Sequence, residues 1–343
     1  MKRGLVLAIL VLVGSLSVAV MGYQGPPAGQ GAGPRGGGPG GAGGPGAGAA
    51  PGLQTIKVRD NLYMIANGGG NTAVFIMANG VALVDTKNPN NGQGILDQVR
   101  MVTNKPITMV INTHTHADHT GSNEFFTDNI VFVAHENTKA NMEKMPNFAG
   151  DKAKFLPSRV YKDTLTLGTG ADQIVLYYFG RAHTNGDSFV VFPAIRAMHA
   201  GDAFASKGFP IVDANNGGSV VEYGKTLAKA ASTIKNVDTI INGHITTGPT
   251  AFADLQVYAD FNNDFLAYVQ DAIKANKTLD QATADYKFPE KYVPLGYTAP
   301  AAGGGRGGPG TVIRTAYVEL GAPVPPAPAQ GGPGGARGGA RGQ

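Results

Sequence analysis

The sequence predicts an α/β (α+β) protein, a four-layer αββα sandwich. Short apolar runs bounded by Gly, Asn and Pro recur through residues 53–299 and read as strands. Helical stretches follow the strands, and this order of strands then helices occurs twice. Two sheets, each covered by helices on its outer face, accommodate such an order.

The first set of strands is LQTIKV (53–58), NLYMIA (61–66), TAVFIMA (72–78) and VALVDT (81–86). Asn79-Gly80 between the last two is a strong hairpin signal, because both residues accept the positive φ of a tight turn. GILDQVRMV (94–102) reads as a helix. ITMVINT (107–113), bounded by Pro106, reads as a buried strand. IVFVAHE (130–136) is a further strand, and ENTKANMEKM (136–145) a helix. The second set is TLTLG (164–168), DQIVLYYFG (172–180), SFVVFP (188–193) and RAMHAGD (196–202). A helical stretch at 220–234 and the strand DTIINGH (238–244) follow. The long helix at 252–275 aligns Leu255, Tyr258, Phe265, Val269 and Ile273 on one face, a stripe expected to be core.

The ends have a different composition. MKRGLVLAILVLVGSLSVAVMG (1–22) has a basic start, an apolar run from Leu5 to Val13 and small residues at Ser15, Ser17, Ala19 and Gly22. It reads as a secretory signal, so export to the periplasm or beyond is expected. Residues 23–52 form a Gly/Pro/Ala-rich linker unable to bury enough apolar area to offset its ordering entropy. Residues 300–343 are a Gly/Pro/Arg-rich tail in which TVIRTAYVEL (311–320) is expected to dock as a short helix or strand.

Charge and cysteine content exclude several function classes. The chain of 343 residues has a net charge of +4 and no cysteine, so it has neither disulfides nor a thiolate metal site. Seven of its 28 Lys and Arg lie in 1–52 and 300–343, alongside one acid, Glu319. The middle therefore holds 21 basic and 23 acidic residues. The basic character belongs to the ends, and no nucleic-acid partner is expected. Nor is membrane contact beyond the signal segment.

The chemistry concentrates in INTHTHADHTGSN (111–123). His114, His116, Asp118 and His119 sit where a predicted strand gives way to a loop, and imidazole and carboxylate are the ligands of zinc and similar metals. Three more ligand-capable residues, His183, Asp202 and His244, follow apolar strands with Gly or small residues nearby. That is how a rigid scaffold presents a ligand.

HTHADH at 114–119, AHT at 182–184, GD at 201–202 and GH at 243–244 resemble the ordered metal motifs of the metallo-β-lactamase fold superfamily. The resemblance covers essentially all of 53–299 and implies that superfamily's αββα sandwich. It implies two metals, zinc by default with iron or manganese also suited. One would be held by His114, His116 and His183, and the other by Asp118, His119 and His244. Asp202 would bridge them, as in the branch resembling glyoxalase II. The implied activity is hydrolysis by a metal-bridging hydroxide of an ester-like or strained amide carbonyl in a small molecule: lactone, thioester or β-lactam. Asp118 would be the catalytic carboxylate. His116 stands where the di-iron redox branch has glutamate, which favours hydrolysis. Asp202 and the lack of cysteine depart from zinc β-lactamase patterns, and Ile245 departs from the glycine common after Gly243-His244.

Two alternatives come from other classes: a mononuclear iron sulfur dioxygenase using His114, His183 and Asp202, and a non-catalytic exported surface protein. Around the site, Asp85 is expected to orient ligands or cap a turn, and Asp187 to organise a loop. His135 and His199 are expected to be structural. Segment 209–219 is expected to line a pocket or shape a connection, and the Gly-rich 67–75 to act as a flap.

Overall fold

A computed structural model describes residues 52–127, 129–298 and 308–325. The expected signal at 1–22, nearly all of the linker and the tail segments 299–307 and 326–343 lie outside the described residues.

The first sheet contains β1 (Gln54–Arg59), β2 (Leu62–Ala66), β3 (Thr72–Ile76) and β4 (Val81–Val84) as an antiparallel meander. Met77 N–H donates to Gly80 O at 2.9 Å across the Asn79-Gly80 hairpin. After α1 (Gly92–Arg100), β5 (Ile107–Ile111) adds in parallel to β4. The single turn α2 (Ala117–Thr120) leads to β6 (Val131–His135), and α3 (Glu136–Met142) to β7 (Arg159–Tyr161), both strands parallel to β5. The second sheet begins with β8 (Thr164–Leu167), β9 (Ile174–Tyr177), β10 (Phe189–Phe192) and β11 (Ala197–His199), all antiparallel. Helix α4 (Val220–Thr233) crosses to β12 (Thr239–Ile241), which lies parallel to β11, and β13 (Thr250–Ala251) closes the far edge. Three helices follow: α5 (Ala253–Lys274), α6 (Leu279–Asp285) and α7 (Pro309–Glu319).

Alternation along the strands sorts side chains into three apolar layers. Met64, Phe75, Ile111 and Val133 meet Leu176, Val190, Phe192 and Ile241 between the sheets, with the Phe75 and Phe192 ring centroids 4.7 Å apart. Their strand neighbours Ile65, Val74 and Val110 face outward onto Ile95, Val99 and Met142 of α1 and α3. Phe189, Val191 and Met198 face the other way, onto Tyr223 and Leu227 of α4 and Tyr258, Phe265 and Val269 of α5. The result is helices, sheet, sheet, helices.

Helix α7 belongs to that last layer. Val312, Ile313, Ala316 and Tyr317 are buried in it. Glu319 accepts hydrogen bonds from Ser219 Oγ and from Val221 N–H at the start of α4, where a negative charge is favoured. No helix among the described residues is long and apolar enough to cross a membrane.

Candidate active site

The strand ends of both sheets meet along one edge of the sandwich. β5 runs into His114 and His116, and α2 turns Asp118 and His119 back over the edge. From the second sheet come His183 ahead of β10, Asp202 after β11 and His244 after β12. Two backbone bonds join the sheets here: Ser188 N–H to Thr113 O at 2.9 Å and Asn71 N–H to Gly243 O at 2.7 Å. Topology thus collects residues spread over 130 positions of sequence onto one edge, where open α/β sheets carry their sites.

All seven residues singled out from the sequence come together. Ligand-capable atoms within 4.8 Å of one another group His114 with His116 and His183, Asp118 with His119 and His244, and Asp202 with His114 and His119. Asp202 Oδ2 lies 3.7 Å from His183 Nε2 and 3.2 Å from His244 Nε2, while its Oδ1 lies 3.3 Å from His119 Nε2. Asp118 Oδ2 is 3.4 Å from His244 Nε2. The side chains of His116, Asp118 and His244 are 26, 33 and 34% exposed, so the cluster opens to solvent on their side.

Hydrogen bonds behind the clustered histidines settle which imidazole nitrogens face the centre. Thr113 Oγ1 gives its one proton to Asp85 Oδ2 at 2.7 Å, so it accepts from His114 Nδ1 at 3.0 Å. The His114 Nε2 lone pair then points inward. His183 Nδ1 donates to Ile211 O at 2.6 Å, and His116 Nε2 donates to Asp213 Oδ2 at 2.7 Å. That leaves His183 Nε2 and His116 Nδ1 facing each other at 2.8 Å as two acceptors. His119 Nδ1 donates to Asp85 Oδ2 at 2.7 Å. Such outer partners are what hold histidines as metal ligands.

This arrangement fits a metal centre on its own terms. Two acceptor nitrogens aimed at each other repel unless a cation or proton lies between them. His114 Nε2 and Asp202 Oδ1 are buried with no hydrogen-bond partner, which is costly for polar atoms unless something else satisfies them. The donor set of imidazoles and carboxylates suits zinc, iron or manganese.

Titration behaviour agrees. Burial, reinforced by the neighbouring imidazoles, holds the His114 pKa well below the ordinary value. Burial pushes His183 down to about 4. Burial opposes charge on His119 too, but the Asp202 and Asp85 carboxylates outweigh it and raise its pKa well above the usual range. Asp202 is held well below the carboxylate range because His119 overcomes the effect of burial. The carboxylates on either side of His119 thus favour positive charge at this point, the part a bound cation would take.

Two glycines let backbone approach this closely. A Cβ on Gly70 would fall 2.1 Å from His119 Cε1, and one on Gly243 would fall 1.9 Å from Asp202 Oδ1. Segment 67–75 accordingly differs from the expected flap. Gly70 N–H donates to Asp118 O at 2.9 Å, Asn71 is buried, and β3 begins at Thr72. Its glycines serve close contact beneath the site rather than movement above it.

The other candidates resolve as follows. Asp85 lies beneath the cluster and accepts from Thr113 N–H, Thr113 Oγ1 and His119 Nδ1. Asp187 accepts from Thr184 N–H and Oγ1 and organises the loop after His183. His199 joins β11 to Asn71 by donating to its carbonyl at 3.0 Å. His135 stacks on Tyr178, donates to Lys162 O and accepts from Asn137 N–H, apart from the cluster. Ile245 gives its carbonyl to Asn71 Nδ2 at 2.8 Å.

Sequence reasoning did not find the Asp213 contact with His116, the Tyr223 hydroxyl on Asp202 O at 2.9 Å, or buried Lys87. Asp213 sits in a loop with no fixed spacing to the histidines. Its place in the segment following Asp202 was the only signal.

Comparison with known proteins bears on this geometry. The profile of the metallo-beta-lactamase superfamily matches residues 66–245. The metallo-beta-lactamase IND-1 of Chryseobacterium indologenes is 22% identical over 196 residues, covering 54% of this chain and 80% of that protein. Among solved structures, a metallo-beta-lactamase from Pontibacter korlensis superposes with a TM-score of 0.54 at 15% identity, over 62% of this chain and 99% of that one. The stereoselective inverting sec-alkylsulfatase Pisa1 from Pseudomonas sp. superposes at 0.65 with 14% identity, over 78% of this chain and 50% of that one. With the profile spanning more than half of the sequence, the chain belongs to the metallo-beta-lactamase superfamily and is a metallo-hydrolase.

Proposed function

We propose that this protein is a dinuclear metal hydrolase that cleaves an ester-like or strained amide carbonyl bond: a lactone, a thioester or a β-lactam. The observation that carries the reading is Asp202. This buried carboxylate contacts His183 of the first histidine group and both His119 and His244 of the second. One cation would take His114, His116 and His183, the other Asp118, His119 and His244, with Asp202 shared. Held by these residues, two divalent ions would supply the polarisation of a carbonyl and a lowered pKa for water.

The chain's own groups supply the rest. Asp118, a third exposed, is the carboxylate placed at the open side to orient the attacking water and accept its proton. Water oxygen adds to the carbonyl carbon, the bond to the leaving O, S or N breaks, and the proton passes to the leaving group. In the metal-free protein His119 holds the Asp202 carboxyl ionised against burial, and bound cations would keep it so.

We read the metals as zinc, with iron or manganese also suited to an all-N/O donor set. We read the protein as exported, on the strength of residues 1–22.

The test is a substrate panel on the zinc-loaded protein, with ring opening of β-lactams and lactones and cleavage of thioesters followed by absorbance. Chelator-sensitive turnover of at least about 1 s⁻¹ on one class supports the reading and names the substrate. No turnover on any class, with two metals bound, refutes carbonyl hydrolysis.

A further inference from the structure

Lys87 occupies a position that suits lysine poorly. It is fully buried, which lysine almost never is without partners. Its φ is +62°, in the left-handed region that long side chains rarely adopt. Burial pushes its pKa down to about 7 despite the Asp85 carboxylate nearby. A glycine or asparagine would satisfy the backbone and bring no charge into the interior.

What Lys87 touches accounts for it. Its Nζ donates to Ile65 O and Gly70 O, both at 2.8 Å. Gly70 is the residue whose N–H holds Asp118 O and whose backbone lies against the His119 ring. From the opposite side, Thr86 N–H donates to His119 O at 2.7 Å, Lys87 O accepts from Gly121 N–H at 2.9 Å, and Asp85 holds His119 Nδ1. Residues 85–87 thus grip the 118–121 turn, while the Lys87 side chain holds Gly70 against it. A lysine suits this task, having an apolar stem long enough to reach both carbonyls. Its head keeps two N–H donors in either protonation state.

We propose that Lys87 is a positioning residue for the Asp118 and His119 half of the metal centre, acting through Gly70. The proposal rests on the two-metal reading above. Lys87→Met keeps the stem and removes both hydrogen bonds, freeing Gly70 to shift from His119. The effect should therefore fall on one metal and spare the other.

The experiment is titration of the metal-free protein with Co²⁺, read by visible absorption and by bound metal, beside the melting temperature without metal. In Lys87→Met the first Co²⁺ should bind as in the wild type, and the second about 10- to 100-fold more weakly, the usual range for partners behind a ligand. Two Co²⁺ bound with wild-type affinities would overturn the role of Lys87 and leave the two-metal reading standing. Equal weakening of both, together with a lower melting temperature, would mean a merely structural lysine and also overturn it. Fewer than two Co²⁺ on the wild type would overturn the two-metal reading itself, and the proposal with it. If Lys87→Met does not fold, Lys87→Leu, which also removes both donors, is titrated instead, and unchanged affinity for the second Co²⁺ again overturns the role of Lys87.

Discussion

The two halves of the histidine cluster are supported from different parts of the chain. His116 and His183 lean on the loop after β11, through the Asp213 carboxylate and the Ile211 carbonyl. That loop is anchored by Phe209, whose ring packs among Phe261, Phe265, Tyr286 and Phe288 of the C-terminal helical layer. His119 instead leans on the first sheet, through Asp85 after β4 and Gly70 before β3. The halves also differ in charge. Burial keeps His114 and His183 neutral, while carboxylates hold His119 and His244 towards the protonated form, against the effect of burial. One centre therefore has two foundations that meet at Asp85, which also holds Thr113 behind His114, and part of one lies beyond the 66–245 that the family profile matches. Perturbing either foundation should leave a recognisable half behind.

The strongest way to break the first half is His116→Ala. Metal-dependent turnover should fall to background while circular dichroism and the melting curve of the metal-free protein stay close to wild type; retained turnover would remove the mechanism. Phe209→Ala attacks the same half from its distant anchor. Loss of a buried phenyl ring should lower stability by about 3–5 kcal/mol in denaturant melts. Smaller again, Asp213→Ala should cut first-site metal affinity or turnover by about 10- to 100-fold while leaving the fold intact. Wild-type metal affinity and turnover in that variant would show that the Asp213 contact does not orient His116.

A pH experiment sharpens the other half. Folded Lys87 releases its proton near 7, whereas an unfolded lysine keeps it to about 10.5. Between those values the unfolded state binds more protons, so the metal-free protein should gain stability as pH rises through the window, by at most about 1.4 kcal/mol per pH unit. Denaturant melts across that range should show the rise in the wild type and lose it in Lys87→Met. An identical slope in both would mean that Lys87 titrates normally.

Much of the fold was legible because periodicity and punctuation were strong. Asn79-Gly80 marked the β3–β4 hairpin, and apolar runs such as ITMVINT marked β5. β7 and β13, with three and two residues, are too short to show any period, and their pairing comes from neighbours. Helix α6 lacks a strong apolar stripe, although its capping box, Thr278 with Gln281, was present in the sequence as a start signal. The seven clustered residues were legible because four crowd into HTHADH and the other three each follow an apolar run. Their supports were not. Asp213 is placed by loop geometry. Lys87 follows a turn, where a lysine reads as exposed, and only the fold brings it under Gly70. Glycines 67–70 read as mobility, but close approach to His119 is what demands a glycine at position 70. Helix α7 was readable as something docked, yet Glu319, the one acid of the tail, gave no sign that it would sit at the start of α4.

The central claim is that one buried carboxylate joins two metal positions, and metal content tests it most directly. Elemental analysis of the purified protein should give two divalent ions per wild-type chain and one per chain of His244→Ala. A single iron per chain in both would contradict the account and favour the mononuclear dioxygenase reading.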